Sequence, residues 1–357
     1  MNTKISRIGF SSIIFFISQT MFLHTGLNQL LNGSGNGSIY SILLGGLLSM
    51  IILFFIIRYF NFEKDLNLFK KNDKLFRSYG KIINVFLVII FTFYFIYSLW
   101  SINTYVQNKY LDSTPSFIII LLFLIPAVWC ASLNMKTISK VSISVFLVTV
   151  FIILFSILNL YSSIEINNLK PWFNTPIIKI IKDSILFTSY FVSPTFMLLV
   201  IPKNEIYESN KLSKTIIIFY IITIINFLLL FIFIIGVFGI DLARILSYPE
   251  YTLMKKVNFF DFIQHIENLS TIEWLYSIFI STVLSLFFIK EYLNYINKYN
   301  KKIFGFIIII SFITSLVLFN NTTIGSNFMM KYFIFIFFIP IIILLLISNI
   351  KIKKNKN

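Results

Sequence analysis

Stretches of bilayer-crossing length recur along this chain, and no other feature limits its fold as strongly. Runs of about 17–25 mainly apolar residues, each long enough for a helix to cross about 30 Å of hydrocarbon, fall near 9–31, 38–58, 82–107, 116–134, 141–162, 184–202, 215–238, 270–289, 303–320 and 332–350. Between residues 9 and 57 there is no Lys, Arg, Asp or Glu. In lipid the backbone must satisfy its own N–H and C=O groups, so runs of this kind form helices. With 57% hydrophobic residues and a mean hydropathy of +0.87, a soluble domain is excluded. The chain reads as an all-α polytopic membrane protein, ten transmembrane helices in a single membrane domain covering 1–357.

Charge sets the expected topology. With the N-terminus in the cytoplasm, the segments on that side are residues 1–8, 58–81, 135–140, 203–214, 290–302 and the tail from Lys351. They hold 22 of the 30 Lys and Arg but only 6 of the 14 acidic residues, so the whole +16 net charge lies on one face. That basic excess is the pattern of cytoplasmic loops, and an odd number of spans would destroy the alternation. Both termini are therefore expected inside.

The same distribution argues against nucleic acid as the partner of this basic chain. The cations sit in short juxtamembrane loops, where they meet anionic lipid. The first run lacks a small-x-small cleavage site and more spans follow, so it reads as a retained helix. A single cysteine, Cys130, permits no disulfide within one chain, and with only His24 and His265 a metal site is not expected. A membrane-embedded enzyme would need a His, Arg or Asp constellation that these spans do not supply. Neither catalysis nor a cofactor is expected.

Three connecting segments are long. In 60–81, Phe62, Leu66, Phe69 and Phe76 recur at roughly helical spacing among Lys and Asp, which suits an amphipathic helix on the inner leaflet. A solvated charged linker fits the same residues. The segment 163–183 carries Leu169-Lys-Pro-Trp-Phe173, with Trp172 suited to the headgroup level. In 239–269, Leu242, Ile245, Leu246, Leu253, Val257, Phe260, Phe262, Ile263 and Ile266 are too apolar for a free loop. Short helices folded onto the outer face of the bundle are expected there.

Ten spans divide into two groups of five, and because five is odd the second group is inverted relative to the first. In inverted-repeat transporters the first helix of each repeat is broken at the substrate site. Span 6 reads Phe191-Val-Ser-Pro194-Thr-Phe196, and span 1 carries Ile17-Ser-Gln-Thr20 and His24-Thr-Gly26. Both interruptions fall where the repeat requires them, although a proline kink and back-bonded hydroxyls would read the same way. No Asp, Glu, Lys or Arg lies deep in these span limits, with Glu273 and Lys290 near the ends of span 8. Recognition would then rest on helix dipoles, on the span 3 face of Tyr94, Tyr97, Ser98, Ser101 and Tyr105, and on the span 8 stripe of Ser277, Ser281 and Ser285. Small hydroxyl residues serving close helix packing are the competing explanation.

Several segments carry a family likeness. Leu246-Ser-Tyr-Pro-Glu-Tyr-Thr-Leu-Met-Lys-Lys-Val257 and Phe262-Ile-Gln-His-Ile-Glu-Asn-Leu269 resemble the stretch before span 8 of the spore germination permeases. That is the GerAB/ArcD/ProY family of the amino acid–polyamine–organocation superfamily. Tyr248-Pro249 and Glu267 match its pattern, with His265 where the family has Arg; Leu75-Phe-Arg-Ser-Tyr-Gly-Lys81 and Asn168-Leu-Lys-Pro-Trp172 are further matching pieces. The resemblance implies a LeuT-like 5+5 inverted repeat with broken helices 1 and 6, and a site for an amino-acid-sized nutrient between spans 1, 3, 6 and 8. The candidate substrate-binding residues are then Ser18, Thr20, Tyr97, Ser101, Ser193, Thr195, Ser281 and Ser285. It also implies a germinant receptor in the inner membrane of the spore, with A-type and lipoprotein C-type subunits as partners. An ion-coupled amino acid transporter is the alternative on the same fold. Ser18 and Thr20 replace the family's glycine pair in span 1, and Thr195 and Phe196 replace its Gly and Glu after the span 6 proline.

Overall fold

A computed structural model describes residues 4–133, 135–172, 174–256, 267–318 and 322–354. Of the sequence-based expectations, Val257, Phe260, Phe262, Ile263, His265 and Ile266 lie outside these residues, as do the ends of spans 4 and 9 at 134 and 319–320. The described residues are 87% helix with no strand. Among the described residues, nine helices are long and apolar enough to cross a membrane: Arg7–Gly33, Gly35–Asn61, Ser78–Lys109, Met135–Ser163, Ile177–Val200, Leu212–Ile245, Thr271–Tyr295, Lys301–Leu318 and Gly325–Lys354. The shorter apolar helix Ser116–Ser132 lies between the third and fourth of these. In chain order these are spans 1–10, with Ser116–Ser132 as span 4.

Local chemistry marks where the helices begin and turn. Ser6 caps span 1, its hydroxyl accepting from the Gly9 N–H at 3.0 Å. Pro115 and Pro176 stand immediately before spans 4 and 6, where a missing N–H costs nothing. Within the Leu212–Ile245 segment the backbone kinks at Gly239, whose φ of 69° is a conformation that side-chain-bearing residues rarely adopt. The apolar part of span 7 thus stops at 238, as its sequence predicts, and Asp241 and Arg244 belong to a short helical extension beyond it.

The two ends of the bundle can be identified from bonds between loops. At one end, Ile5 pairs with Ile206, Asn204 donates to the Lys64 carbonyl at 3.2 Å, and Lys351 donates to the Leu75 carbonyl at 3.0 Å. Tyr295 bonds Asp73 there, and Lys290 reaches the Ala131 carbonyl at 3.3 Å. Five of the six segments expected on the basic side therefore share this end, and the sixth, 135–140, joins them through Ser139, which lies against Gly9. At the other end, Asn36 meets the Lys170 carbonyl at 2.8 Å, Asn28 the Ser247 carbonyl at 2.7 Å, and Gln29 the Met330 carbonyl at 2.9 Å. Among the described residues, the nine long helices and the shorter Ser116–Ser132 run between these two ends.

Burial separates central from peripheral helices. The apolar windows of spans 1 and 6 are each 94% buried, against 28% for span 5 and 17% for span 9. Spans 1 and 6 are the axis of the bundle, and this is where sequence reasoning puts the breaks. Span 1 packs on span 7 as span 6 packs on span 2, span 3 on span 9 as span 8 on span 4, and span 1 meets span 5 as span 6 meets span 10. Exchanging spans 1–5 for spans 6–10 maps each of these three contacts onto its counterpart, as two related halves require. On peripheral helices the apolar side chains face outward: Leu147, Phe151, Leu154 and Leu158 on span 5, and Phe306, Ile309, Ile313 and Val317 on span 9.

The interruptions in spans 1 and 6 are changes of helix type rather than stretches of extended backbone. Span 1 is α-helical from Arg7 to Met21, π-helical from Phe22 to Gly26, and α-helical again from Leu27 to Gly33. Span 6 is α-helical to Val192 and tightens to a 3₁₀ helix over Ser193–Val200. Pro194 explains the second change, since it lacks the N–H that would bond the Tyr190 carbonyl in an α-helix. π turns of this kind concentrate at functional positions.

The segment after span 2 does form a helix, Leu68–Phe76, capped by Asn67. It does not rest on a leaflet surface: Leu68, Phe69, Leu75 and Phe76 are buried against the bundle. Lys71 is buried with them, its Nζ donating to the Phe60 carbonyl at 3.0 Å beneath the rings of Tyr59 and Phe60. Burial, reinforced by the neighbouring Lys203 ammonium and opposed by Glu63, pushes this amine down to about 7.

Candidate functional site

Two polar layers cross the apolar core around span 1. In the deeper layer, Gln19 Nε2 donates to Glu273 Oε1 at 3.0 Å and to Ser277 Oγ at 3.2 Å. Thr20 Oγ1 lies 3.0 Å from the carbonyls of Phe16 and Ser277 and 2.8 Å from Ser281 Oγ. One hydroxyl hydrogen thus faces three oxygens. Span 8 presents these partners because Glu273, Ser277 and Ser281 are four residues apart and stack on one helix face. The Tyr94 hydroxyl of span 3 faces Ser281 without closing a well-aligned bond.

The sequence-based placement of Glu273 needs correction here. Span limits put it at the end of span 8 and left no carboxylate inside the bundle, yet its carboxyl meets Gln19. Gln19 lies 12 residues beyond Arg7, about 18 Å along the helix axis at 1.5 Å per residue. That is more than half the depth of a bilayer core. The helix that carries span 8 begins at Glu267, so Glu273 lies more than a turn inside it and against Gln19 rather than at its end.

The second layer lies further from the basic end. Tyr97 on span 3 donates to Thr25 Oγ1 at 3.2 Å, and Thr25 lies 3.1 Å from the Tyr190 hydroxyl of span 6. Tyr190 in turn donates to Gln29 Oε1 at 3.3 Å, and the Gln29 amide holds the Met330 carbonyl of span 10. Thr25 belongs to the π turn, which brings it to the junction of spans 1, 3 and 6. His24 beside it is 7% exposed, with neither ring nitrogen hydrogen-bonded. Its ring stands 5.0 Å from Trp100 and 6.0 Å from both Tyr97 and Trp274.

Above this layer a recess of about 270 Å³ opens at the end opposite the basic loops. His24, Thr25 and Asn28 of span 1 form one wall, Thr104 and Asn108 of span 3 another, and Tyr248, Ser326 and Asn327 the rest. Its size suits a small polar molecule, just under the range of drug-sized pockets. A smaller cavity of about 70 Å³ is lined by the Tyr105 and Trp274 rings, whose centroids are 3.9 Å apart and whose planes are tilted by 30°. Glu250, from the short helix Pro249–Met254, and Glu273 both line it, with Asn226 and Ser156.

Burial pushes the Glu250 carboxyl up to about 8, with its own backbone N–H and the Lys109 ammonium opposing. The folded chain therefore holds a proton that the unfolded chain releases near 4.5. Stability from this group is full below that value and is lost as pH rises through about 8. Glu250→Gln is expected to match the parent's melting temperature at pH 5 and exceed it at pH 8.5. Equal pH profiles in a thermal-melt comparison would show that the carboxyl ionises freely.

The eight residues singled out by sequence are all buried but not all together. Thr20 and Ser281 bond each other, and Ser285 sits one turn below, 3.5 Å from Met197 Sδ of span 6. Tyr97 and Ser101 share the span 3 face toward Thr25 and His24. Ser18 and Ser193 turn back onto their own helices, bonding the carbonyls of Ile14 and Ser189 at 2.6 and 2.7 Å. Thr195 bonds Tyr220 of span 7 at 2.6 Å. Sequence reasoning passed over Gln19, Thr25, Gln29, Tyr190 and Glu273 as site residues. An amide in the middle of an apolar span is the signal that points to Gln19, whereas Gln29 near the end of the same span gives no such signal.

A ten-pass helical bundle with its polar residues gathered around two central, irregular helices has the build of a membrane permease. The family model described as spore germination protein matches residues 14–324, and the chain belongs to that family. It is a family of permease-like and receptor-type membrane proteins rather than of enzymes. No curated protein matches the chain.

Proposed function

We propose that this chain is the membrane subunit of a nutrient germinant receptor, holding a small zwitterionic nutrient, an amino acid by preference, against spans 1, 3, 6 and 8. The observation that carries this reading is the junction at Thr25, where hydroxyls of three spans meet at the floor of the open polar recess. Uncharged donors and acceptors there, with His24, match the carboxylate and ammonium of an amino acid without a fixed counter-charge. The basic end faces the cytoplasm of the spore, with both termini, by the positive-inside pattern. A-type and lipoprotein C-type subunits are the partners that the family likeness suggests.

Thermal stability of the purified protein against amino acids, sugars and nucleosides tests this reading. A ligand that binds only the folded state raises stability by about 2.7 kcal/mol at a hundredfold excess over Kd. A shift with one amino acid is expected, and it should shrink strongly in Thr25→Val and Ser101→Leu. No shift with any compound, or an undiminished shift in both variants, would remove the recess from the ligand path.

One observation favours a second reading, ion-coupled transport. Glu273 is an ionisable group inside a membrane span, and such groups commonly serve ion or proton pathways. Gradient-driven uptake of a labelled amino acid into proteoliposomes would support that reading over a purely sensory role.

A further inference from the structure

At the basic end, the Leu68–Phe76 helix, the start of span 3 and the C-terminal end of span 10 enclose a recess of about 570 Å³. Lys74, Arg77, Lys351 and Lys354 line it, together with Ser78 and Tyr79. Only one of the four cations is neutralised, Lys74 by Glu63. Lys351 is fixed at the rim by the Leu75 carbonyl at 3.0 Å and by the Phe76 ring, 4.5 Å from its Nζ. Among the described residues, Arg77, Lys351 and Lys354 form no salt bridge with a carboxylate. The span 3 helix begins at Ser78 with no side-chain cap, which adds the positive end of a 32-residue helix.

The surroundings distinguish a lipid from a soluble anion. From the recess, span 3 carries an exposed stripe of Tyr79, Ile82, Phe86 and Ile89 at three- and four-residue spacing. Span 10 carries exposed Ile343, Ile347 and Ile350, running directly into Lys351 and Lys354. Apolar stripes on two helices thus converge on one cationic recess, with the charges at the membrane edge and the hydrocarbon surfaces extending away from it. We propose that this recess binds the phosphate headgroup of an anionic phospholipid, whose acyl chains lie along spans 3 and 10. Arg77 supplies a planar fork for two phosphate oxygens, and Lys354 and Lys351 supply point charges.

The test uses the full-length protein in detergent, titrated with phosphatidylglycerol, with phosphatidylcholine and with inorganic phosphate, and read by thermal stability. Phosphatidylglycerol is expected to stabilise the protein, phosphatidylcholine much less. The double change Arg77→Gln with Lys354→Gln should weaken the phosphatidylglycerol effect at least tenfold. Both side chains are exposed, so folding is expected to survive. Lys298→Gln with Lys302→Gln removes two exposed cations outside the recess and should leave the effect intact. Equal weakening by the two pairs would reduce the proposal to general surface charge and overturn it. Equal stabilisation by inorganic phosphate, or no preference for the anionic lipid, would also overturn it.

Discussion

Gly45→Leu is expected to destabilise the bundle strongly. A Cβ at Gly45 would come 2.7 Å from the Ser184 carbonyl and 2.9 Å from the Phe187 ring. Span 6 packs closely on span 2 here, and Thr188 donates to the Gly45 carbonyl at 3.0 Å. The first clash is with backbone, so no rotamer change relieves it, and the two helices must separate. Overpacking of this kind costs about 1–3 kcal/mol where side chains can shift, and the upper end is expected with backbone in the way. Gly305→Leu is the matched control, since nothing lies within 4 Å of its Cβ direction. Thermal melts of the two variants in one detergent give the comparison. Equal melting temperatures would show that spans 2 and 6 have room to spare.

Glu273 carries the second large effect. If its only task were to receive the Gln19 amide, Gln would do as well, because an amide oxygen accepts the same hydrogen bond. On the receptor function proposed above, Glu273→Gln is expected to keep the fold while lowering sensitivity to the nutrient at least about tenfold, a loss of about 1.4 kcal/mol or more in coupling. Glu273→Ala should lose both the response and some stability, since Gln19 would be left with an unpaired donor inside the bundle. Dose–response curves of spores carrying each variant decide the matter. A Gln variant that responds like the parent would confine Glu273 to a structural role.

Much of the architecture was legible because membrane helices are written in composition. Apolar length placed the spans, and the alternation of Lys and Arg sorted the loops onto two ends that the bonds among Ile5, Lys64, Ile206 and Lys351 reproduce. Gly239 and the charges after it gave the end of span 7. The Leu68–Phe76 helix was legible as a helix but not in its position, because the same amphipathic pattern serves a lipid surface or a protein surface. Pro194 announced a change in span 6, but the 3₁₀ geometry depends on packing that sequence does not specify. The deeper layer was the hardest to see. Glu273 lies near the start of the apolar run of span 8, and hydropathy alone does not show how far into the bundle that end of the helix reaches. Ser18 and Ser193 illustrate the opposite limit, as a hydroxyl in a span looks the same whether it faces a neighbour or its own preceding turn.

The π turn at Phe22–Gly26 sets the angular phase of span 1. One residue more than an α turn needs is threaded through it, so everything beyond is rotated by about 100° relative to an uninterrupted α-helix. Thr20 addresses span 8, while Thr25 and Gln29, five and then four residues on, address spans 3, 6 and 10. Span 1 therefore behaves as two screws of different phase joined end to end. Removing a single residue from the joint would leave a perfectly regular helix whose outer half points its amides and hydroxyls at the wrong neighbours.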